Sequence, residues 1–401
     1  MDSFIYALVL TPALTELLPR SGIPATAGNI GYYGGLLFAL FLIGWGLSML
    51  WGPLADRFGR VRTLMLTILC YSLFTFLGAV ATTVWQLAIF RLLSGIGIGG
   101  EWSMGGTFVA EEWPESRRAK GAGYLHTGYY VGIFLAGLAN YVIGARYGWR
   151  VMFAIGGAPA LLVAFIRAGV HEPKRWDAAR EKLGARLTMT RAFAALFGER
   201  YRWRTVLNSV FLLVSIIGLW AGGVYVPASV IHLATEAGFG HADAARLASD
   251  ATMLLSIGTI VGCLALAPLA ESLGRRVTLA LFFVLMFVSI ALGFGYAYYL
   301  STHALAWFMV CLFALGVGGA NFAMYTLWLP EQYETGCRAS AFAFTTSVGR
   351  FVGAGVTFLV GAGVAHFGTI GTPVALTSLA FLVGLVLLPW GVETRRTALP
   401  E

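Results

Sequence analysis

The sequence predicts an all-α membrane protein of twelve transmembrane helices arranged as two pseudo-symmetric six-helix bundles, and three observations carry that prediction. Of 401 residues, 58% are hydrophobic and 11% charged, whereas a soluble domain is about a quarter charged. Apolar runs approaching the roughly 20 residues a helix needs to cross a bilayer centre near residues 10, 42, 73, 98, 132, 160, 217, 260, 288, 317, 351 and 381. The string Gly52-Pro-Leu-Ala-Asp56-Arg57-Phe-Gly59-Arg60 recurs, degraded, as Ala267-Pro-Leu-Ala-Glu271-Ser-Leu-Gly274-Arg275, an offset of 215 residues.

Along the chain, the first run reads as cut at its start, because Asp2 stands at its beginning and about 17 residues remain before Arg20. The charged turn over 52–62 joins the second and third runs. Arg91 and Glu101 lie in the fourth run and His126 in the fifth. The polar stretch 171–204 follows the sixth run, so the expected organisation is an N-terminal bundle over 1–170, a cytoplasmic linker over 171–204, a C-terminal bundle over 205–392 and a short tail over 393–401. Within the second half, an offset of 220 residues superposes Glu101 on Asn321, Glu111 on Glu331 and Arg118 on Arg338. Such parallel register indicates duplication, with a pseudo-two-fold axis along the membrane normal and a solute held between the halves.

Charge sets the orientation. Alternate turns and the linker hold 20 Lys and Arg, the opposite set holds four, and Arg91, Arg167 and Arg350 remain inside or near spans. The richer set faces the cytoplasm and puts both termini there. The net charge of +8 therefore belongs to the loops and implies no nucleic-acid partner. Cys70, Cys263, Cys311 and Cys337 show no metal or redox spacing, and no cleavable signal is visible. Gly95-x-Gly97-x-x-Gly100 matches a dinucleotide pattern but lies inside an apolar run and follows no strand. Phosphate-loop, zinc-helix and nucleophile-elbow patterns are missing. No enzyme activity, cofactor or metal is expected; the partners are a small solute, protons and the bilayer, and the working unit is a monomer.

The turn over 52–62, the segment Arg91-Leu-Leu-Ser-Gly95-Ile-Gly97-Ile-Gly99-Gly100-Glu101 and the duplicated halves resemble the major facilitator superfamily over nearly the whole chain. Trp149-Arg150, Glu172-Pro173-Lys174-Arg175-Trp176, Gly349-Arg350 and Glu393-Thr394-Arg395 resemble its sugar-porter and metabolite:proton-symporter branches. The step Glu101-Trp102 is most similar to sialate and monocarboxylate symporters. The resemblance implies alternating access, and a helix-one acid paired with the helix-four Arg, here Asp2 with Arg91, as a proton site.

The residues suggest roles within that frame. Gly52, Asp56, Arg57, Gly59, Arg60 and Glu111, with Glu271, Gly274, Arg275, Glu331 and Arg338, form an expected conformational latch; the plainer alternative is a turn that obeys the positive-inside rule. Burying Arg91 at a helix centre costs about 2.5–3.5 kcal/mol unless it snorkels. Glu101 is the expected proton carrier, because burial raises a carboxyl's pKa and a nearby cation lowers it. Arg350, about 18 Å into its span by helical rise, is the expected carboxylate anchor, the alternative being an ion pair with Glu101. His126 could relay protons or simply pack. Glu101 and its repeat partner Asn321 join Arg350 in the expected binding set with Tyr6, Trp220, Tyr225 and Tyr325, although aromatics here also serve as core. These features predict proton-coupled uptake of a small organic anion, a monocarboxylate or sugar acid, over a neutral sugar or polyol carrier and over a non-transporting sensor.

Overall fold

A computed structural model describes residues 2–183, 188–223 and 225–400. Twelve spans follow one another: α1 Asp2–Arg20, α2 Ala27–Leu47, α3 Arg60–Gly78, α4 Val84–Glu112, α5 Arg118–Ala139, α6 Trp149–Gly156 with Ala160–Gly169, α7 Arg202–Gly223, α8 His241–Leu273, α9 Arg275–Gly295, α10 Ala304–Gly319 with Asn321–Trp328, α11 Arg338–Phe367 and α12 Gly371–Leu376 with Leu379–Leu387. A short turn and the helix Trp51–Phe58 carry α2 on to Gly59. Among the described residues, eight helices are long and apolar enough to cross a membrane. The spans outside that set are α1, α4, α7 and α11; α4 carries Arg91 and Glu101 along its length, and part of α1, α7 and α11 lies outside the residues whose side chains are described.

Each half has its own apolar core, around Ile5, Leu14, Leu87 and Phe153 in the first and Phe211, Phe283, Phe308 and Trp328 in the second. Small residues set how closely the helices approach. A Cβ on Gly95 would sit 2.2 Å from the Phe41 carbonyl oxygen, closing α4 onto α2, and one on Gly316 would sit 2.2 Å from the Leu255 carbonyl oxygen, closing α10 onto α8. The same contact thus holds both bundles. Outward, Phe165 and Leu359 are more than 70% exposed, which in a chain this apolar marks a lipid-facing belt.

Gly59 and Gly274 link α2 to α3 and α8 to α9 with φ of 116° and 94°, a region glycine enters at little cost. The halves meet along α2 with α11 and α5 with α8. Gly52 lies so close to α11 that a Cβ would fall 2.6 Å from Ser340 Cα. Residues of the 171–204 stretch dock under the bundles: Trp176, 2% exposed, donates from Nε1 to the Asp56 carbonyl at 2.9 Å, and Leu196 and Tyr201 pack with Tyr333 and Cys337.

Candidate functional site

Two clusters of buried ions lie at the same end of the two bundles, where α3, α9 and α11 begin and α4 ends. In the first, Arg60 at the start of α3 holds Glu111 at the end of α4 through both carboxylate oxygens, Nε to Oε2 and Nη2 to Oε1, each 3.0 Å. Arg338, heading α11 in the other half, reaches the same Oε1 from Nη1 at 2.6 Å. Asp56 also crosses between the halves. Its carboxylate accepts the backbone N–H groups of Ala339 (3.2 Å) and Ser340 (2.8 Å) and the Ser340 hydroxyl (2.6 Å), while Arg60 Nη1 stands 3.1 Å from its Oδ1. The α11 N-terminus points unpaired donors at that carboxylate, which is where an acid side chain stabilises a helix.

The second cluster repeats the parts. Arg275, opening α9, holds Glu331 bidentately at 3.0 and 2.9 Å, and Arg118 of the first half reaches Glu331 Oε1 at 3.4 Å. Glu271 departs from expectation. It is 42% exposed and pairs with Arg275 of its own half at 3.2 Å, so it does not mirror the crossing made by Asp56. Arg57 departs too: it is exposed and stands over the Phe58 ring at 5.4 Å, outside the ion cluster.

Two acids missed as functional in the sequence complete the clusters. Glu172 accepts from the Val61 and Arg62 amides at 3.1 and 3.0 Å, and Glu393 from the Arg275 and Arg276 amides at 2.9 and 3.1 Å. Each caps the helix after a positive-φ glycine. Their repetition, Glu172 against Glu393, was the available signal. At Glu393 partial burial works against the charge, but hydrogen bonds from the Arg275, Arg276 and Arg395 amides outweigh it and hold the carboxyl below the usual range.

A second site lies where α2, α4, α5, α10 and α11 approach. Arg350, 9% exposed, rests its guanidinium 4.0 Å from the Trp45 ring centroid and 5.7 Å from that of Trp102, and Nη1 donates to the Thr346 carbonyl. Among the described residues, no carboxylate lies at ion-pair distance from it, so the alternative pairing with Glu101 is not observed. Trp102 donates from Nε1 to Thr326 Oγ1 at 3.0 Å, and its ring lies 6.1 Å from His126 and 6.0 Å from Phe322. Trp45 fits against α4 because Gly99 has no side chain; a Cβ there would lie 2.2 Å from Trp45 Cδ1. Glu101 precedes Trp102 and is half-buried. Sequence reasoning overlooked Trp45, a bulky ring flanked by Gly44 and Gly46.

Other expected residues fall elsewhere. Arg91, 2% exposed, does not snorkel; it lies over the rings of Phe41 and Tyr6 at 4.1 and 4.3 Å. Tyr6 is buried and donates to the Gly34 carbonyl at 3.0 Å. Tyr325, fully buried, donates to the Phe211 carbonyl at 2.7 Å inside the second core and lines no opening. Tyr225 packs half-buried against that core, and Asn321, fully buried, donates to the Gly318 carbonyl of its own span at 2.9 Å. The side chains of Asp2 and Trp220 lie outside the described residues.

The profile of the Major Facilitator Superfamily matches residues 1–357. The chain belongs to the major facilitator superfamily. A Cupriavidus pinatubonensis protein named as a 4-methylmuconolactone transporter is 30% identical over 410 residues, spanning 100% of this chain and 89% of that protein. A niacin transporter of Acinetobacter baylyi is 27% identical over 98% of this chain and 91% of its own length. The solved structure of a proton:xylose symporter superposes with a TM-score of 0.76 at 18% identity, covering 99% of this chain and 94% of that one, a likeness that shows the fold. As a major facilitator, the chain is a multi-pass integral membrane protein and a secondary transporter of small metabolites, not an enzyme. In this protein the two ion clusters lie at the same end of the bundles, and the Arg350 site lies between the halves.

Proposed function

We propose that this transporter takes up a small organic anion, a monocarboxylate or sugar acid, together with a proton. The observation that carries the reading is Arg350: a nearly buried guanidinium at the junction of the halves, supported by two indole faces and by the Thr346 carbonyl. Stacking on an aromatic ring stabilises a cation without consuming its N–H donors, so the edge of the guanidinium is left to grip a carboxylate. The relatives named for niacin and 4-methylmuconolactone support a small organic cargo. In this reading Glu101 carries the proton, Arg91 with Asp2 and His126 assist it, and the Glu111 and Asp56 contacts latch the cytoplasmic side until solute and proton are bound.

Uptake into proteoliposomes tests the proposal. An inside-alkaline gradient is expected to stimulate uptake of a carboxylate such as nicotinate or lactate, while the matching amide fails to compete. Arg350→Gln is expected to weaken carboxylate binding about tenfold or more, the scale of a hydrogen bond to a charged group. Glu101→Gln is expected to keep counterflow and lose uphill uptake. Uptake indifferent to the gradient overturns the coupling; equal competition by acid and amide overturns the anion.

A further inference from the structure

The segment after α12 runs back beneath the second bundle and touches both ion clusters. Thr394 Oγ1 donates to Glu331 Oε2 at 2.6 Å, and the Pro400 carbonyl accepts from Arg338 Nη2 at 2.6 Å. Between these ends the chain turns at Arg396, whose φ of 58° is unusual for a side-chain-bearing residue, and Thr397 Oγ1 donates to the Thr394 carbonyl at 2.7 Å. Leu399 is 4% exposed, so an apolar anchor fixes the far end. The residues gripped are the two from the second half that reach across: Glu331 meets Arg118, and Arg338 meets Glu111.

We propose that residues 394–400 form a regulatory brace that holds Glu331 and Arg338 in their bridging positions and so favours the cytoplasm-closed state. A long side chain gives up rotamer freedom to make an ion pair. A partner that fixes it beforehand reduces that loss, and one hydrogen bond to a charged group is enough to move an equilibrium about tenfold. Arg338 also donates from Nε to the Pro330 and Tyr333 carbonyls at 3.0 and 3.1 Å and from Nη1 to Thr335 Oγ1 at 3.0 Å, so two of its three guanidinium nitrogens stay anchored without the tail. What the Pro400 carbonyl adds is a partner for the third, Nη2, which fixes the remaining edge of the guanidinium. Anything that lifts this segment, a cytoplasmic ligand or partner included, would raise the rate at which the inner side opens. The inference rests on the latch reading above.

The test uses the full transporter with Cys70, Cys263, Cys311 and Cys337 replaced by Ala and one reporter, Ala343→Cys. Ala343 is fully buried where α11 faces Gly52 of the helix Trp51–Phe58, so a membrane-impermeant maleimide in inside-out vesicles reaches it when the cytoplasmic side opens. Deleting residues 397–401, and separately Leu399→Asp, are each expected to speed labelling severalfold, toward about tenfold. Asp56→Asn, which removes a latch charge without touching the tail, is expected to speed it as well. Unchanged labelling in a folded Leu399→Asp variant, with Asp56→Asn still accelerated, overturns the brace and leaves the latch standing. Unchanged labelling in all three overturns both. Should the deletion fail to fold, Leu399→Asp decides.

Discussion

The cluster around Glu111 and the cluster around Glu331 come from one duplicated plan, yet only the first ties the halves together through a helix N-terminus. Within each half the plan is intact, as the bidentate pairs Arg60–Glu111 and Arg275–Glu331 show. Between the halves it is uneven: Arg338 meets Glu111 at 2.6 Å, but Arg118 meets Glu331 at 3.4 Å. Asp56 is fully buried on Ala339 and Ser340, whereas Glu271 is 42% exposed. At the 220-residue offset Ser340 corresponds to Lys120, so the hydroxyl that donates to Asp56 has no counterpart at that position. Duplication preserved the contacts that build a bundle and released one that joins two bundles, so the ion contacts between the halves are carried mainly by the first copy.

The strongest way to break this comparison is Glu111→Gln. Glu111 neutralises both Arg60 and Arg338 in a site with no exposure of those side chains, and removing one member of a buried ion set costs about 3–5 kcal/mol. Thermal melting in detergent is expected to show a large loss, beyond that of Glu331→Gln, whose partner Arg118 sits farther away. Equal losses for the two variants would remove the asymmetry.

Asp56→Asn against Glu271→Gln sharpens the same contrast. Asp56 accepts three hydrogen bonds from α11, and hydrogen bonds to a charged group contribute about 1.5–3 kcal/mol each before relaxation. The Asn variant is expected to shift the transporter toward cytoplasmic opening, read as faster inward release of solute. Arg275 is buried but Glu271 is 42% exposed, and a pair screened by solvent on the acid side contributes about 0–1 kcal/mol, so Glu271→Gln is expected to leave release nearly unchanged. A matching acceleration in both would show that Glu271 crosses to the first half in some state of the cycle.

Much of this architecture was legible along the chain because lipid imposes it. Apolar runs, the offset of Glu111 on Glu331, the turn glycines and the loop arginines all follow from length, duplication and charge asymmetry. Arg350 was legible as an intramembrane cation, since such a charge is too costly to leave idle. Its support was not: Trp45 lies 305 residues earlier, and nothing local distinguishes a ring beneath a guanidinium from a ring in a core. Tyr325 shows the converse, because a phenol suits a cleft wall and a buried hydrogen bond to the Phe211 carbonyl equally well. Glu172 and Glu393 cap helices that start more than a hundred residues before them, and a contact of that range leaves no periodicity to read.

The smallest effect concerns the cap that both copies share. Glu393 is held below the ordinary carboxylate value, so its contribution is fully present above the unfolded value near 4.3 and fades as pH falls through the lowered folded value. Gln at 393 mimics the protonated acid at every pH. The wild-type protein is therefore expected to melt slightly above Glu393→Gln at neutral pH, with the gap closing as the medium is acidified below about 4. Glu172→Gln, at the equivalent position on α3, provides the comparison within the same molecule, because it removes the acceptor for the Val61 and Arg62 amides beside the stronger cluster. A Glu393→Gln gap that persists in acid would mean that the glutamate supports α9 by packing, and that the charge on this cap does not matter.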